Sequence, residues 1–183
     1  MRASCVYSYA LFAIGRLERL GGPRASRAAL AIARAAAADA YISACADARG
    51  RLAACAFLHA TLLGAPRDAY AELCAMDDRE RRAECLRHFV SVACEVGTPS
   101  ILAELPWAGL RAELMATLRW KAANGDARRR PSYYELRFAL AARAGDMREA
   151  AQAQWEWAIA LSATPALPPA CLLYTSPSPR DGL

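Results

Sequence analysis

The clearest amphipathic pattern in the chain lies over Arg79–Val96, where Ala83, Leu86, Val90, Ala93 and Cys94 recur at helical spacing. Glu84, Arg87, His88, Ser91 and Glu95 fall on the opposite side, so the spacing predicts a helix with one covered face. Upstream, helices are predicted over Ser4–Leu20, stopped by Gly21-Gly22-Pro23, and over Arg24–Ala46, with a break near the polar Asp47–Arg51 stretch. A third covers Leu52–Leu63 and ends at Gly64. Pro66 suits the first turn of a short helix reaching Met76, because a proline there forfeits no helical hydrogen bond. Thr98-Pro99 opens a short helix that Pro106 must end, and another runs from Trp107 to about Ala123.

The last two helices carry the best start signals. Ser132 with Glu135, and Asp146 with Glu149, have the residues of a capping box, in which the cap side chain accepts from a free backbone N–H and the glutamate reaches back. Gly145 separates the two helices by so little that they must fold back as an antiparallel hairpin. Tyr133, Tyr134, Leu136, Phe138 and Leu140 go most of the way round the first of them. A helix apolar on more than one side is sandwiched between neighbours, as in stacked hairpins. Tyr134, Gly145 and Ala150 reproduce part of the tetratricopeptide (TPR) pattern, and Gly64 with Ala69 repeats its turn and close-approach pair. The period is irregular, and Phe138 stands where that pattern wants a small residue. The expected fold is all-α: stacked antiparallel helical hairpins forming an irregular TPR-like α-solenoid over residues 1–164.

Composition strengthens this picture. The chain is 56% hydrophobic, much of it alanine, while the β-branched residues that favour strands are scarce. The net charge of +5 rests on arginine, since Lys121 is the only lysine. Acidic residues are interspersed with the arginines, so no single-sign field points to nucleic acid. Seven cysteines, odd in number and without short paired spacing, fit a reducing compartment, with several acting as small apolar residues of helices. No run of about 20 apolar residues exists to cross a membrane, and Val6–Ile14 lacks the small-x-small cleavage site of a secretory leader.

Little in the chain carries chemistry. Cys55 with His59, and Cys85 with His88, have ligand-like spacing for zinc, but neither pair sits in a metal-loop signature. A small cysteine beside a half-exposed histidine is the expected reading, with no metal and no cofactor. Without a G-x-S-x-G, a phosphate-cradling glycine loop or an H-E-x-x-H, no enzyme is expected. Arg128-Arg129-Arg130 reads as a solvated link, and the Arg79–Arg82 cluster beside Asp77-Asp78 as a charged helix face. The aromatic set Tyr133, Tyr134, Phe138, Trp155 and Trp157 exceeds what one hairpin buries. From it Tyr133, Trp155 and Trp157 are the candidate partner interface, with Phe138 and Tyr134 expected in the core and Trp155 partly exposed.

From Pro165 the helical pattern stops, so residues 165–183 are expected to be an unstructured tail. The run CLLYTSPSPRD, Cys171–Asp181, resembles the translation of a sequencing-library adapter, which marks residues 171–183 as foreign to the native chain and the chain as cut short.

Four segments in order carry a family resemblance over Leu58–Leu161: FLHATLLGAPRDAYAEL, ECLRHFVSVACE, ELPWAGLRAEL and SYYELRFALAARAGDMREAAQAQWEWAIAL. They comprise a glycine turn with an Ala-Tyr pair, a Cys-Leu-Arg helix start, a proline–aromatic corner, and a tyrosine pair leading into a hairpin. Together they resemble the C-terminal helical solenoid of the one-hundred-and-sixty-kilodalton nucleoporin family of the Y-complex. The resemblance implies a structural scaffold of the nuclear pore outer ring that supports nucleocytoplasmic transport at the nuclear envelope. It implies other Y-complex nucleoporins as partners at the hub, and neither enzyme activity nor membrane insertion. Two alternatives stand beside it. A generic TPR-like protein–protein adaptor would show a concave face of asparagine, lysine and arginine. A basic nucleic-acid-binding helical protein would gather its arginines on one side.

Overall fold

A computed structural model describes residues 2–107 and 109–163 of the chain. Among the described residues the regular structure is helical: α1 Arg2–Leu20, α2 Gly22–Ala37, α3 Ala40–Ser43, α4 Ala46–Leu62, α5 Pro66–Cys74, α6 Arg79–Glu95, α7 Ile101–Glu104, α8 Arg111–Asn124, α9 Tyr133–Arg143 and α10 Met147–Ala163. The expected all-α class is what forms. The tail expected over residues 165–183 lies outside the described residues. The described residues fall into two compact units that divide between Asn124 and Gly125, and each is taken separately.

In the first unit α1 and α2 form a hairpin, and α4 packs against α2, α5 and α6. Side-chain pairs fix the directions. Arg81 reaches Asp47 at 3.3 Å near the starts of α6 and α4, while Phe89 meets Phe57 farther along both, with ring centroids 6.3 Å apart. The two helices therefore run parallel. Arg82 binds Glu113 near the starts of α6 and α8, and Lys121 donates to Ser91 Oγ at 2.5 Å toward their ends. These two are parallel as well, with the short α7 making the return. The pairs are 34, 31 and 30 residues apart. Helices stacked in parallel at that interval are the first helices of successive TPR-like repeats, whose regular period is about 34. Across α4, α6 and α8 the irregular repeat of the sequence therefore keeps an interval close to the TPR one.

Gly64 and Gly145 close hairpins in the same way. Both have positive φ, 66° and 75°, which a side chain would disfavour. At the first, Gly64 N–H donates to Thr61 O and Ala65 N–H to Ala60 O; at the second, Gly145 N–H donates to Ala142 O and Asp146 N–H to Ala141 O. These paired bonds satisfy the last carbonyls of α4 and α9. Five residues beyond each glycine, Ala69 and Ala150 are 0% and 2% exposed, small enough for the returning helix to lie close. The turn and close-approach pairs seen in the sequence are real.

Several boundaries differ from expectation. The helix predicted over Arg24–Ala46 stops at Ala37, because Asp39 starts a new one. Its carbonyl accepts from Ser43 N–H at 2.8 Å and its carboxylate from Ile42 N–H at 3.4 Å, the local competition by which aspartate ends helices. Asp47–Arg51 is no break: it is the first turn of α4, bridged by an Arg51–Asp47 pair at 3.2 Å, four residues apart and favourable on a helix. Trp107 does not begin α8. It is buried at the corner after Pro106, donating its indole N–H to Leu102 O at 2.5 Å.

That corner is held by aromatic contacts. Tyr70 of α5 stacks edge-on against Trp107 at 5.1 Å, and Trp107 lies 6.3 Å from Phe89, which in turn contacts Phe57. The Tyr70 hydroxyl donates to Pro106 O. Burial is the main cause that pushes its pKa up to about 12, aided by a bond with Cys74. The Ala-Tyr pair and the proline–aromatic corner, separate features in the sequence, are two sides of one contact.

On α6 the predicted face is covered: Leu86, Val90, Ala93 and Cys94 are buried together with Cys85 and Phe89, and Ala83 is half-buried. Asp78 caps the helix, accepting from Glu80 N–H at 3.0 Å and Arg81 N–H at 3.1 Å. The arginines that follow are partly spent on structure. Arg81 pairs with Asp47 and Asp78, and Arg82 clasps both oxygens of Glu113 at 3.1 and 2.7 Å.

Candidate partner-binding surface

The second unit contains the hairpin α9–α10 and the link before it. Ser132 is buried and accepts from Tyr134 N–H at 3.2 Å, while Glu135 accepts from Ser132 N–H at 2.9 Å, so the first capping box forms. That backbone bond holds the Glu135 carboxyl below its usual range, against the upward pull of burial and with help from Arg130. At the second start, Asp146 accepts from Glu149 N–H at 3.1 Å. The Asp146 N–H is already donated to Ala141 O, closing α9. Glu149 turns its carboxylate to a different task.

That task is Arg137, whose side chain is 0% exposed between the two helices. Its Nε donates to Glu149 Oε1 at 2.9 Å and its Nη1 to Glu156 Oε2 at 2.5 Å. Nothing in the sequence singles this residue out, because an arginine among apolar neighbours looks like the solvated side of a helix. The signal available was Glu149 and Glu156, seven residues and two turns apart on the facing helix.

Arg137 also explains a correction. Phe138, expected in the core, is 39% exposed. Tyr134, Arg137, Leu140 and Ala141 form the buried face of α9, and Phe138 lies one residue, about 100° of rotation, beyond Arg137. Tyr134 is buried as expected, 7% exposed.

The three candidate interface residues do not share one surface. Tyr133 is half-buried. Trp157 is half-buried and fastened within the unit: its indole N–H donates to Ala127 O at 2.9 Å, and the Arg130 guanidinium sits 5.0 Å over its ring. Arg130 also pairs with Glu135, so the arginine run is tied into the hairpin at its last member. Trp155 is 69% exposed, and two residues of helix turn it about 200° from Trp157. Met147 and Ile159, 66% and 50% exposed, stand eight residues before it and four after. With the exposed Ala151 between them, these residues follow the four-residue spacing of one helix face.

The cysteine–histidine pairs singled out in the sequence belong to the first unit. His59 is buried on α4 with Nε2 3.4 Å from Glu18 Oε1 and neither ring nitrogen hydrogen-bonded. Cys55, one turn earlier, has its thiol pKa raised by burial and by Glu18. Cys85 is buried and pushed up to about 11, a protonated thiol with poor nucleophilicity. Among the described residues, no three His, Cys, Asp or Glu side chains converge as a metal site, and no helix is long and apolar enough to cross a membrane.

Parallel first helices whose contacting residues are 30 to 34 apart and glycine-closed hairpins define a TPR-like helical-repeat fold. A family model described as NUP160/120 middle TPR matches residues 8–167, and the chain belongs to that family. Among curated relatives, it is 34% identical over 115 residues to the nuclear pore complex protein NUP160 of Arabidopsis thaliana, covering 62% of this chain. It is 31% identical over 110 residues to the nuclear pore complex proteins Nup160 of Mus musculus and Homo sapiens, covering 60% of this chain. The matched region is 8% of the length of each relative.

Proposed function

We propose that this chain is a structural scaffold segment of a nuclear pore complex protein, acting at the nuclear envelope in support of nucleocytoplasmic transport. The observation that carries this reading is the family match across residues 8–167, which spans both compact units. Its likeness to relatives named as nuclear pore complex proteins supplies the location. The work is done by surfaces, not by chemistry, because stacked repeats present extended faces to protein partners. The finer placement, in the outer-ring Y-complex with other nucleoporins of that complex as partners, follows from the resemblance carried by the Leu58–Leu161 segments. Within the longer relatives, the family description speaks for the middle TPR region in preference to the C-terminal solenoid expected from the sequence. Of Tyr133, Trp155 and Trp157, Trp155 is the proposed contact anchor, flanked by Met147 and Ile159.

The test places Trp155→Ala, Met147→Ala and Ile159→Ala together in the full-length protein. Recovery of outer-ring nucleoporins by affinity purification should fall, and the rim signal of a fluorescent fusion should weaken, while the melting profile stays unchanged. Normal recovery with an unchanged melting profile would remove this face as the contact. Absence of the wild-type protein from the nuclear rim would overturn the scaffold reading itself.

A further inference from the structure

On the first unit, outside the hairpin discussed above, the parallel helices α6 and α8 enclose a groove of about 560 Å³. Arg79, Ala83 and Arg87 line it from α6; Glu113, Ala116, Thr117 and Trp120 line it from α8. The α6 residues recur every four positions, so the two arginines stand at the ends of one stripe about 12 Å long. Ala83 and Ala116 give the groove a shallow floor on which a third backbone can approach.

Charge in this groove is not balanced from within. Its one acid, Glu113, is committed to Arg82 through two bonds at 3.1 and 2.7 Å, and both side chains are largely covered. Arg79 and Arg87 have no ion pair among the described residues, in a chain whose other α6 arginines, Arg81 and Arg82, are paired. Arg79 is also the first residue of α6, where the positive end of the helix dipole makes a cation unfavourable for the helix itself. Trp120 is 57% exposed, an expensive side chain to leave in water and the type most often found at the centre of protein contacts.

We propose that this groove is a docking site for an acidic amphipathic helix of a protein partner, with carboxylates seven or eight residues apart pairing with Arg79 and Arg87. Small or aliphatic residues between those carboxylates cover Ala83 and Ala116 and pack against Trp120. The carboxylate spacing follows from the arginine spacing: two helices laid side by side rise equally per residue. Guanidinium–carboxylate pairs at both ends fix register, and the tryptophan supplies the buried area. The groove belongs to the first unit and Trp155 to the second, and the proposal stands whether or not the Trp155 face meets a nucleoporin.

The experiment uses the whole chain and a fluorescein-labelled helical peptide with two glutamates eight residues apart and alanine and leucine between them, followed by anisotropy. Saturable binding is expected, weakened roughly tenfold or more by Arg79→Gln with Arg87→Gln, and similarly by Trp120→Ala, since hot-spot truncations act on that scale. Arg24→Gln with Arg27→Gln makes the same charge change elsewhere and should leave affinity within about twofold, as expected for charges outside the contact. A peptide with the glutamates changed to glutamine, or moved to four-residue spacing, should bind as poorly as the groove variants. Circular dichroism melts of each variant exclude unfolding as the cause. Equal losses in the Arg24/Arg27 control would show diffuse attraction to a basic chain and overturn the site. So would absence of saturable binding, or a single-stranded oligonucleotide that displaces the peptide with higher affinity and the same dependence on Arg79, Arg87 and Trp120.

Discussion

Replacing Arg137 tests what holds the terminal hairpin together. The side chain is fully covered and bridges Glu149 and Glu156 of α10, whose own side chains are 15% and 32% exposed. Breaking a buried ion pair costs about 3–5 kcal/mol when the partner is left stranded. Here both glutamates regain water, so Arg137→Ala should cost less, about 2–3 kcal/mol, combining lost packing of the long stem with lost charge-assisted bonds. Arg137→Met keeps most of the stem volume and removes a charge that is costly to bury, with Nη2 lacking a hydrogen-bond partner; its cost should be no more than about 1 kcal/mol. Arg137→Lys should fall between them, because one ammonium cannot hold the fork that spans two carboxylates. Since the chain has two compact units, a single melting temperature would mix them. Hydrogen exchange of peptides covering residues 133–163 is the suitable assay. If Met proves as damaging as Ala, the charges and not the packing hold the hairpin, and the reasoning fails.

Five further outcomes follow from other parts of the fold. His59→Leu should be neutral or stabilising by about 1 kcal/mol in denaturant melts, since it replaces a buried ring without hydrogen bonds by an apolar one; a loss above about 2 kcal/mol would reveal a bond that matters. Ser132→Ala should cost about 1 kcal/mol through the lost cap. Glu135 has a depressed folded-state pKa, so its stabilisation is present above the ordinary glutamate value of about 4.3 and is lost as pH falls through the folded value. Glu135→Gln should therefore flatten the acid-side decline of unit-two protection, and an unchanged decline would count against the box. Gly50→Ala would place a Cβ 2.5 Å from Arg81 Nη1; the gain in helix propensity, about 1 kcal/mol, should offset the displaced ion pairs, leaving stability near its starting value in urea. In native-state alkylation with peptide mapping, Cys5, Cys45 and Cys74, which are exposed, should label quickly, whereas Cys85 should label only on unfolding.

Local signals in this sequence were reliable where one residue acts on its own backbone. Gly64 and Gly145 closed their hairpins, Ser132 and Glu135 formed the cap, and the apolar stripe of α6 faced inward. The errors came where two local tendencies compete. Asp39, in an alanine run that reads as uninterrupted helix, ends α2 by offering its own oxygens to the next turn. Asp47–Arg51 looks like a linker by polarity, yet its charges sit four apart and support the helix they were expected to break. Trp107 looked like a helix start after proline, but its indole N–H found a carbonyl behind it at Leu102.

The partner surface was harder to read for a geometric reason. Aromatic density marks a region but not a side of it. Trp155 and Trp157 are two residues apart in sequence and nearly opposite around α10, so one stacks under Arg130 while the other faces outward. The same arithmetic displaced Phe138, since the middle of the covered face was taken by Arg137, which apolar periodicity discounts. Buried charge is therefore what sequence periodicity misplaces here, and its partners lie on another helix. A search for arginines on an apolar face, with acids two turns apart on the neighbouring helix, would have found Arg137 with Glu149 and Glu156. It would also have turned Phe138 outward, leaving Trp155, Met147 and Ile159 as the face to test.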